Sequence, residues 1–285
     1  MIAFVTTIRH PDNCASWDRV GRLLDASLRS VLGQLDVDFR VVVVHNRRPH
    51  VSVSDSRIVY VEVGFPPPSE QRTPRIEFSR FRRDKGSKCA IGVVAARELG
   101  ADHVMFFDAD DYLHNGLAGL ANGSPDHPGW YSPQGWIHTA GSRSIQFVPE
   151  RFHNLNGSTS IVRTDLIDVP PMLAIGADQE EVLSVVGEAH VCRMLGEHGW
   201  WEDYLAPRGH RMEPLPFPIA VWEIGTGENL SGNLVSGCSR QPLSDELVST
   251  YGIARPSPLA HAWSGVRMTT QRVARRIERA RGRAS

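Results

Sequence analysis

Apolar residues in this chain fall into short continuous runs separated by stretches with helical spacing. Ile2 to Ile8 is β-rich and breaks at Arg9-His10-Pro11-Asp12-Asn13. Between Asp18 and Leu35, apolar side chains recur at Val20, Leu23, Leu24, Leu28, Val31, Leu32 and Leu35, which predicts a helix. Phe39 to Val44 and Ile58 to Val63 read as two further buried strands, followed by a loop rich in proline (Pro66, Pro67, Pro68, Pro74). Ser87 to Leu99 predicts a second helix, stopped by Gly100. It leads into Val104-Met105-Phe106-Phe107, an apolar run placed directly before Asp108-Ala109-Asp110-Asp111. Continuous apolar strands that alternate with helices predict an α/β fold, its sheet mainly parallel and flanked by helices on both faces.

Beyond Asp111 the pattern loosens. Gly129 to Ile137 and Gly157 to Arg163 predict shorter strands between loops. A long helix is expected from Asp178 to His198, with Val182, Val185, Ala189 and Cys192 facing inward. Asp178 is its natural N-cap. Pro207 to Gly237 is expected to be ordered loop lying over the sheet, because it carries Phe217, Ile219, Val221, Trp222 and Ile224. This gives a single domain over residues 1–240, with a first half at 1–111 and a second at 112–240. A C-terminal extension (241–266) and a basic tail (267–285) follow.

Composition narrows the function classes. The formal charge is −1, from 31 basic and 32 acidic residues, so no global field points to nucleic acid. Cys14, Cys89, Cys192 and Cys238 are scattered without zinc-ligand spacing, which suits free thiols in a reducing, cytoplasmic setting. The first residues lack a charged segment followed by a long apolar one, so no secretory signal is expected. No apolar stretch approaches the ~20 residues that span a bilayer, and a soluble protein is expected. The tail sets Arg267, Arg272, Arg275, Arg276, Arg279, Arg281 and Arg283 against Glu278 alone. It is either a solvated tail or a peripheral contact with anionic headgroups at the inner face of a membrane, worth about 1 kcal/mol per basic residue. It lacks the interleaved aromatics on which RNA bases would stack.

The acids at 108–111 carry the chemistry. Carboxylates at the tip of a buried strand cost several kcal/mol if left without partners, so they need a metal, a hydrogen-bonding ligand or water. In open α/β sheets, ligands gather outside the carboxyl ends of the strands. Two accounts of these residues stand at this point: a divalent-cation site facing a phosphate, or an acidic strand-to-loop turn.

The β-α-β half, the basic segment Arg83-Asp84-Lys85-Gly86-Ser87-Lys88 and the hydrophobic strand with its DxDD together resemble the GT-A fold of nucleotide-sugar glycosyltransferases, most closely the family-two type. The likeness covers roughly residues 1 to 235. It implies a Rossmann-like sheet and a metal-dependent transfer, with inversion, from a nucleotide-sugar donor (UDP-linked) to a glycan or other hydroxyl acceptor. The residues matching the family's nucleobase contacts are Thr6, Thr7 and Arg9 after the first strand. At the end of the second strand stand His45 and Asn46, where relatives carry Asn-Asp. Lys85 and Lys88 fall where a glycine-containing loop opens a helix, a geometry that suits phosphate. The resemblance implies that Asp108 contacts ribose or metal and that Asp110, flanked by Asp111, ligates Mn²⁺ or Mg²⁺. Asp108, Ala109 and Asp110 thus form the DxD motif. Asn156-Gly157-Ser158 matches a strand that lines the donor sugar.

A base must also take the acceptor proton. The family draws it from an acidic pair that opens a helix, which here implies Asp178, then Glu181, with Glu188 a third candidate. A late histidine of some relatives corresponds to Leu230, with His198 and His210 the nearest histidines. Two other classes remain in view. A nucleotidyltransferase shares the doubly wound half but begins with a glycine-rich, lysine-bearing loop that Thr6 to Asn13 lacks. A catalytically silent module that binds a glycan or partner would keep the fold without a working base.

Overall fold

The structure is a computed structural model that describes residues 1–71, 76–197, 200–229 and 239–255. The expected strands form as β1 (Ile2–Thr7), β2 (Phe39–His45), β3 (Ile58–Glu62) and β4 (His103–Asp108), with α1 (Trp17–Leu32) and α2 (Phe78–Glu98) between them. They pair in parallel in the order β4-β1-β2-β3. The Ser16 hydroxyl accepts the Arg19 N–H and starts α1, and Gly33 ends it. Leu35, expected on that helix, lies beyond it and is exposed. Val20, Leu24, Leu28 and Val31 of α1 pack against Phe4, Val41 and Val43, while Ala90, Val93 and Val94 of α2 pack against Val5, Val42 and Val44. The two helices thus cover opposite faces, and the winding reverses between β1 and β4. Thr7 and Asp108 are register partners at that reversal. A ligand crevice belongs there.

The second half extends this sheet and builds another. After β5 (Tyr112–Leu113) and α3 (Leu117–Asn122) come β6 (Gly129–Tyr131), β7 (Gly135–Thr139), β8 (Ser144–Val148) and β9 (Ser160–Arg163). Strand β9 joins β4 antiparallel and β6 joins β9, with β10 (Glu213–Pro214) at the edge, completing a seven-stranded sheet. The segment expected to be loop over the sheet contains β11 (Ala220–Ile224), every residue of which is buried. It is one of the three inner strands of a five-stranded sheet, ordered β12-β8-β7-β11-β5, where β12 is Ser239–Pro242. Proline and glycine on either side hid a strand that pairs only with distant residues. Strand β12 crosses the boundary drawn at residue 240, and α7 (Asp245–Tyr251) buries Tyr251 against Ile145 and Val221.

Two predicted helices differ in extent. Helix α2 begins at Phe78 rather than Ser87, so Gly86 lies inside it. The long helix expected from Asp178 to His198 is broken into α4 (Gln179–Val186), a short α5 (Glu188–His190) and a π-helical turn, Val191–Leu195, before α6 (Trp201–Leu205). The break falls at Gly187, whose φ of 90° suits glycine and opposes continued helix. The π turn presses on α2: a Cβ on Gly86 would collide with the Val191 carbonyl, and one on Gly196 with the Arg82 carbonyl. Glycine at these positions is required by close approach, not by a loop.

Cys14, Cys89 and Cys192 are free thiols, and no helix among the described residues is long and apolar enough to cross a membrane. Pro74, His198, Leu230, Cys238 and the basic tail lie outside the described residues. Gly86→Ala is expected to lower unfolding stability by about 1–3 kcal/mol through overpacking, measured by urea denaturation. An unchanged midpoint would show that α2 and the π turn are not in close contact.

Candidate active site

The ends of β1 and β4 open into a cleft of about 220 Å³, whose lining includes Thr7, Arg9, Asp84, Lys85, Asp108, Ala109, Asp110, Glu197, Glu228 and Asn229. Its apolar walls come from Val20 and Leu23 on α1, Phe78 and Phe81 on α2, and Leu155 and Trp222. A side cavity of about 20 Å³ beside Phe106, Gly157 and Trp201 has room for little more than a water molecule. The larger cleft is the candidate site.

Its floor is organised by Asp111, which is fully buried. Asn156 Nδ2 and Ser158 Oγ each donate to Asp111 Oδ2 at 2.6 Å, and the Glu223 N–H donates to Oδ1 at 3.2 Å. Ser158 Oγ also accepts the Asp108 N–H at 2.9 Å. Asn156 and Ser158, expected to line a donor sugar, are therefore buried supports of the acidic tip, and Gly157 faces the side cavity. Burial, then the charges of Asp110 and Asp108, hold the Asp111 carboxyl well above the usual carboxylate range.

Asp110 reaches the cleft. Asn229 Nδ2 donates to Asp110 Oδ2 at 3.0 Å and to the Glu223 carbonyl at 2.9 Å. Burial and the neighbouring charges of Asp108 and Glu223 push Asp110 up to about 7. Glu223 is itself buried against His138, with Nδ1 and Oε2 2.5 Å apart. An acid raised in this way favours uptake of a proton or a cation.

The basic residues divide. Lys85 Nζ lies 2.5 Å from Asp108 Oδ1. Lys88 does not reach the cleft: fully buried, it donates to the Ile8 carbonyl at 2.9 Å and to Asp84 Oδ2 at 2.8 Å. The expected phosphate loop is absent because helix already runs through Gly86, so its backbone N–H groups are not free ends. Arg9 donates to the Glu228 carbonyl at 2.8 Å and pairs with its carboxylate at 3.5 Å. Glu228 also accepts the Ala15 and Ser16 N–H groups, which ties the loop after β11 to the start of α1. Thr6 is buried beneath the floor, and the Asn46 amide donates to the Val63 and Phe65 carbonyls outside the cleft lining.

The three base candidates stay outside this cleft. Asp178 is exposed and caps α4, accepting the Glu181 N–H at 2.8 Å. Glu181 and Glu188 are exposed as well, and Glu188 pairs with Arg83 at 3.6 Å. The acid that this segment delivers to the cleft is Glu197, paired with Arg82 at the end of the π turn. His210 does not line the cleft either. Glu197 is not singled out by the sequence, and the neighbouring Gly196 is its local signal. Glu228 and Asn229 fall in the segment 216–232, which resembles a C-terminal loop that closes over the donor in the family, without either being marked there as a site residue.

Asp108 and Asp110 offer carboxylates suited to a hard divalent ion. Among the described residues, no group of three or more His, Cys, Asp or Glu side chains is placed to hold a metal. Two carboxylates alone leave most of the oxygen positions of a hard divalent ion to be filled from outside the described residues.

No family model matches the chain, and no curated protein matches it. Among solved structures, it is similar to residues 1–349 of S. aureus TarS at 13% identity and a TM-score of 0.38, over 78% of this chain and 60% of that one. The same TarS segment in complex with UDP-GlcNAc aligns at 16% identity and a TM-score of 0.38, over 82% and 62%. A 4-diphosphocytidyl-2C-methyl-D-erythritol synthase from Anaerococcus prevotii aligns at 11% identity and 0.35, over 92% and 95%. The chain therefore spans less than two thirds of the TarS segment it matches.

Asp110 and Asp111 both have raised folded-state values, so the stability they contribute is full below about pH 4 and declines as pH rises, for Asp110 through about 7. Without added metal, the melting temperature is expected to fall between about pH 4 and pH 7, and Asp110→Asn should flatten that slope. An equal slope in the variant would remove Asp110 as its source. Asn156→Ala should cost about 1–3 kcal/mol by removing a donor from buried Asp111, read from denaturant melts.

Proposed function

We propose that the protein is a metal-dependent glycosyltransferase that moves a sugar, with inversion, from a UDP-linked donor to a glycan or other hydroxyl acceptor. The supporting observation is the charge balance of the cleft at the β1/β4 reversal. Of the five carboxylates that line it, Asp84, Asp108, Glu197 and Glu228 are each paired with a basic side chain (Lys88, Lys85, Arg82 and Arg9), whereas Asp110 is held by the Asn229 amide. Among the described residues, the cleft thus has no spare positive charge to offer a phosphate. A nucleoside diphosphate brings further negative charge and would be repelled there unless cations accompany it.

Asp110 and Asp108 would hold Mn²⁺ or Mg²⁺, which when bound supplies charge neutralisation for the departing diphosphate. Asn229 fixes the Asp110 carboxylate through its amide. The apolar walls at Val20, Leu23 and Trp222 exclude water from one side of the site. Glu197 is the acid we assign as base. It takes the acceptor hydroxyl proton while the acceptor oxygen bonds to the anomeric carbon and the bond from that carbon to the diphosphate oxygen breaks, releasing UDP. Arg82 anchors Glu197 at the cleft edge.

Addition of UDP with Mn²⁺ should raise the melting temperature of the full chain, UDP alone should not, and Asp110→Ala should abolish the shift. If neither UDP nor another nucleoside diphosphate stabilises the protein with Mn²⁺ or Mg²⁺ present, the transferase assignment fails. Glu197→Gln should lower turnover about 10²–10⁴-fold, the usual contribution of general-base catalysis, while leaving the UDP-dependent shift in place. Near-normal turnover would remove Glu197 from the chemistry.

A further inference from the structure

The contact between Lys85 and Asp108 places an internal cation on the carboxylate that a metal would use. It is built into the fold. Gly86 is wedged against Val191, and Lys88 is tied to the Ile8 carbonyl just beyond β1, which together hold α2 against sliding along its axis to move Lys85 away. The Lys85 side chain is 13% exposed and that of Asp108 is 31% exposed, so the pair presents its acidic partner to the cleft.

The two cleft cations differ in freedom. Arg9 is fixed through the Glu228 carbonyl, the Glu228 carboxylate and the Asn13 carbonyl. Lys85 carries a compact charge on a flexible four-carbon stem and can retarget by rotation alone. It is the cation that can change partners without moving backbone.

We propose, on the basis of the transferase assignment above, that Lys85 is an exchangeable counter-cation: it neutralises Asp108 in the empty protein and turns to the donor diphosphate once a divalent ion takes its place. Lys85 and the ion therefore compete for Asp108 when no nucleotide is present. They act together when a diphosphate supplies a second anionic partner for the ammonium group. The same side chain opposes metal binding in one state and supports nucleotide binding in the other.

That reversal of sign gives the test. Mn²⁺ binding to the full chain would be followed by the electron paramagnetic resonance of the free ion, without nucleotide, and UDP binding by thermal shift at saturating Mn²⁺. Lys85→Met is expected to bind Mn²⁺ about tenfold more tightly and UDP about tenfold more weakly than the unaltered protein, as removing one close charge partner implies. Lys85→Arg, which keeps the charge, should move both affinities back toward the unaltered protein. Circular dichroism would check folding, and Lys85→Gln provides a second neutral variant if Lys85→Met does not fold. Unchanged or weakened Mn²⁺ binding in a folded neutral variant, or unchanged UDP binding, overturns the exchange. If the unaltered protein responds to Mn²⁺ and UDP while the variants do not differ from it, only the exchange fails. If the unaltered protein itself shows no response to any nucleoside diphosphate with metal, the transferase assignment fails and the exchange falls with it.

Discussion

The buried carboxylate of Asp111 is the constraint on which the site depends. One side chain gathers Asn156 and Ser158 from the turn before β9 and the backbone of Glu223 on β11, and its carbonyl accepts Ser27 Oγ of α1 at 2.6 Å. These contacts join the large sheet, the small sheet and a covering helix at one point. A buried carboxylate without partners would cost several kcal/mol, so its donors are structural requirements. Because Asp108 and Asp110 lie within three residues of it, fixing Asp111 also fixes the acids that face the cleft.

A second constraint sets the opposite edge. Helix α2 and the π turn meet through Gly86 and Gly196, and that contact carries Glu197 to the cleft while leaving Asp178, Glu181 and Glu188 exposed. π-Helical turns are frequent at functional sites. Here the turn follows the break at Gly187 and redirects the chain toward the ends of β1 and β4.

Electrostatics connects these constraints to chemistry. The protein neutralises much of its own cleft, Lys85 against Asp108 and Arg9 against Glu228. Asp110, held by an amide, is left under the influence of Asp108 and Glu223, which together with burial raise it to about 7. The surplus is anionic. Such a cleft gains from a bound cation and accepts a phosphate ligand more readily with one than without.

Much of this was legible along the chain. The apolar runs of β1, β2 and β4 and the spaced leucines of α1 announced the parallel sheet, because strand and helix periods are local and burial enforces them. Asp108 and Asp110 were legible too, since carboxylates directly after a buried run must sit at a strand tip. Local patterns specify the parallel strands β1 to β4, their covering helices and the acidic tip. Long-range packing makes Lys88 interior, turns Asn156 and Ser158 toward Asp111, makes Ala220–Ile224 a strand, and brings Glu197 rather than Asp178 to the cleft. Each of these depends on which distant backbone lies alongside, as Val191 does at Gly86 and Glu223 does at Asp111, and no local pattern encodes such a meeting.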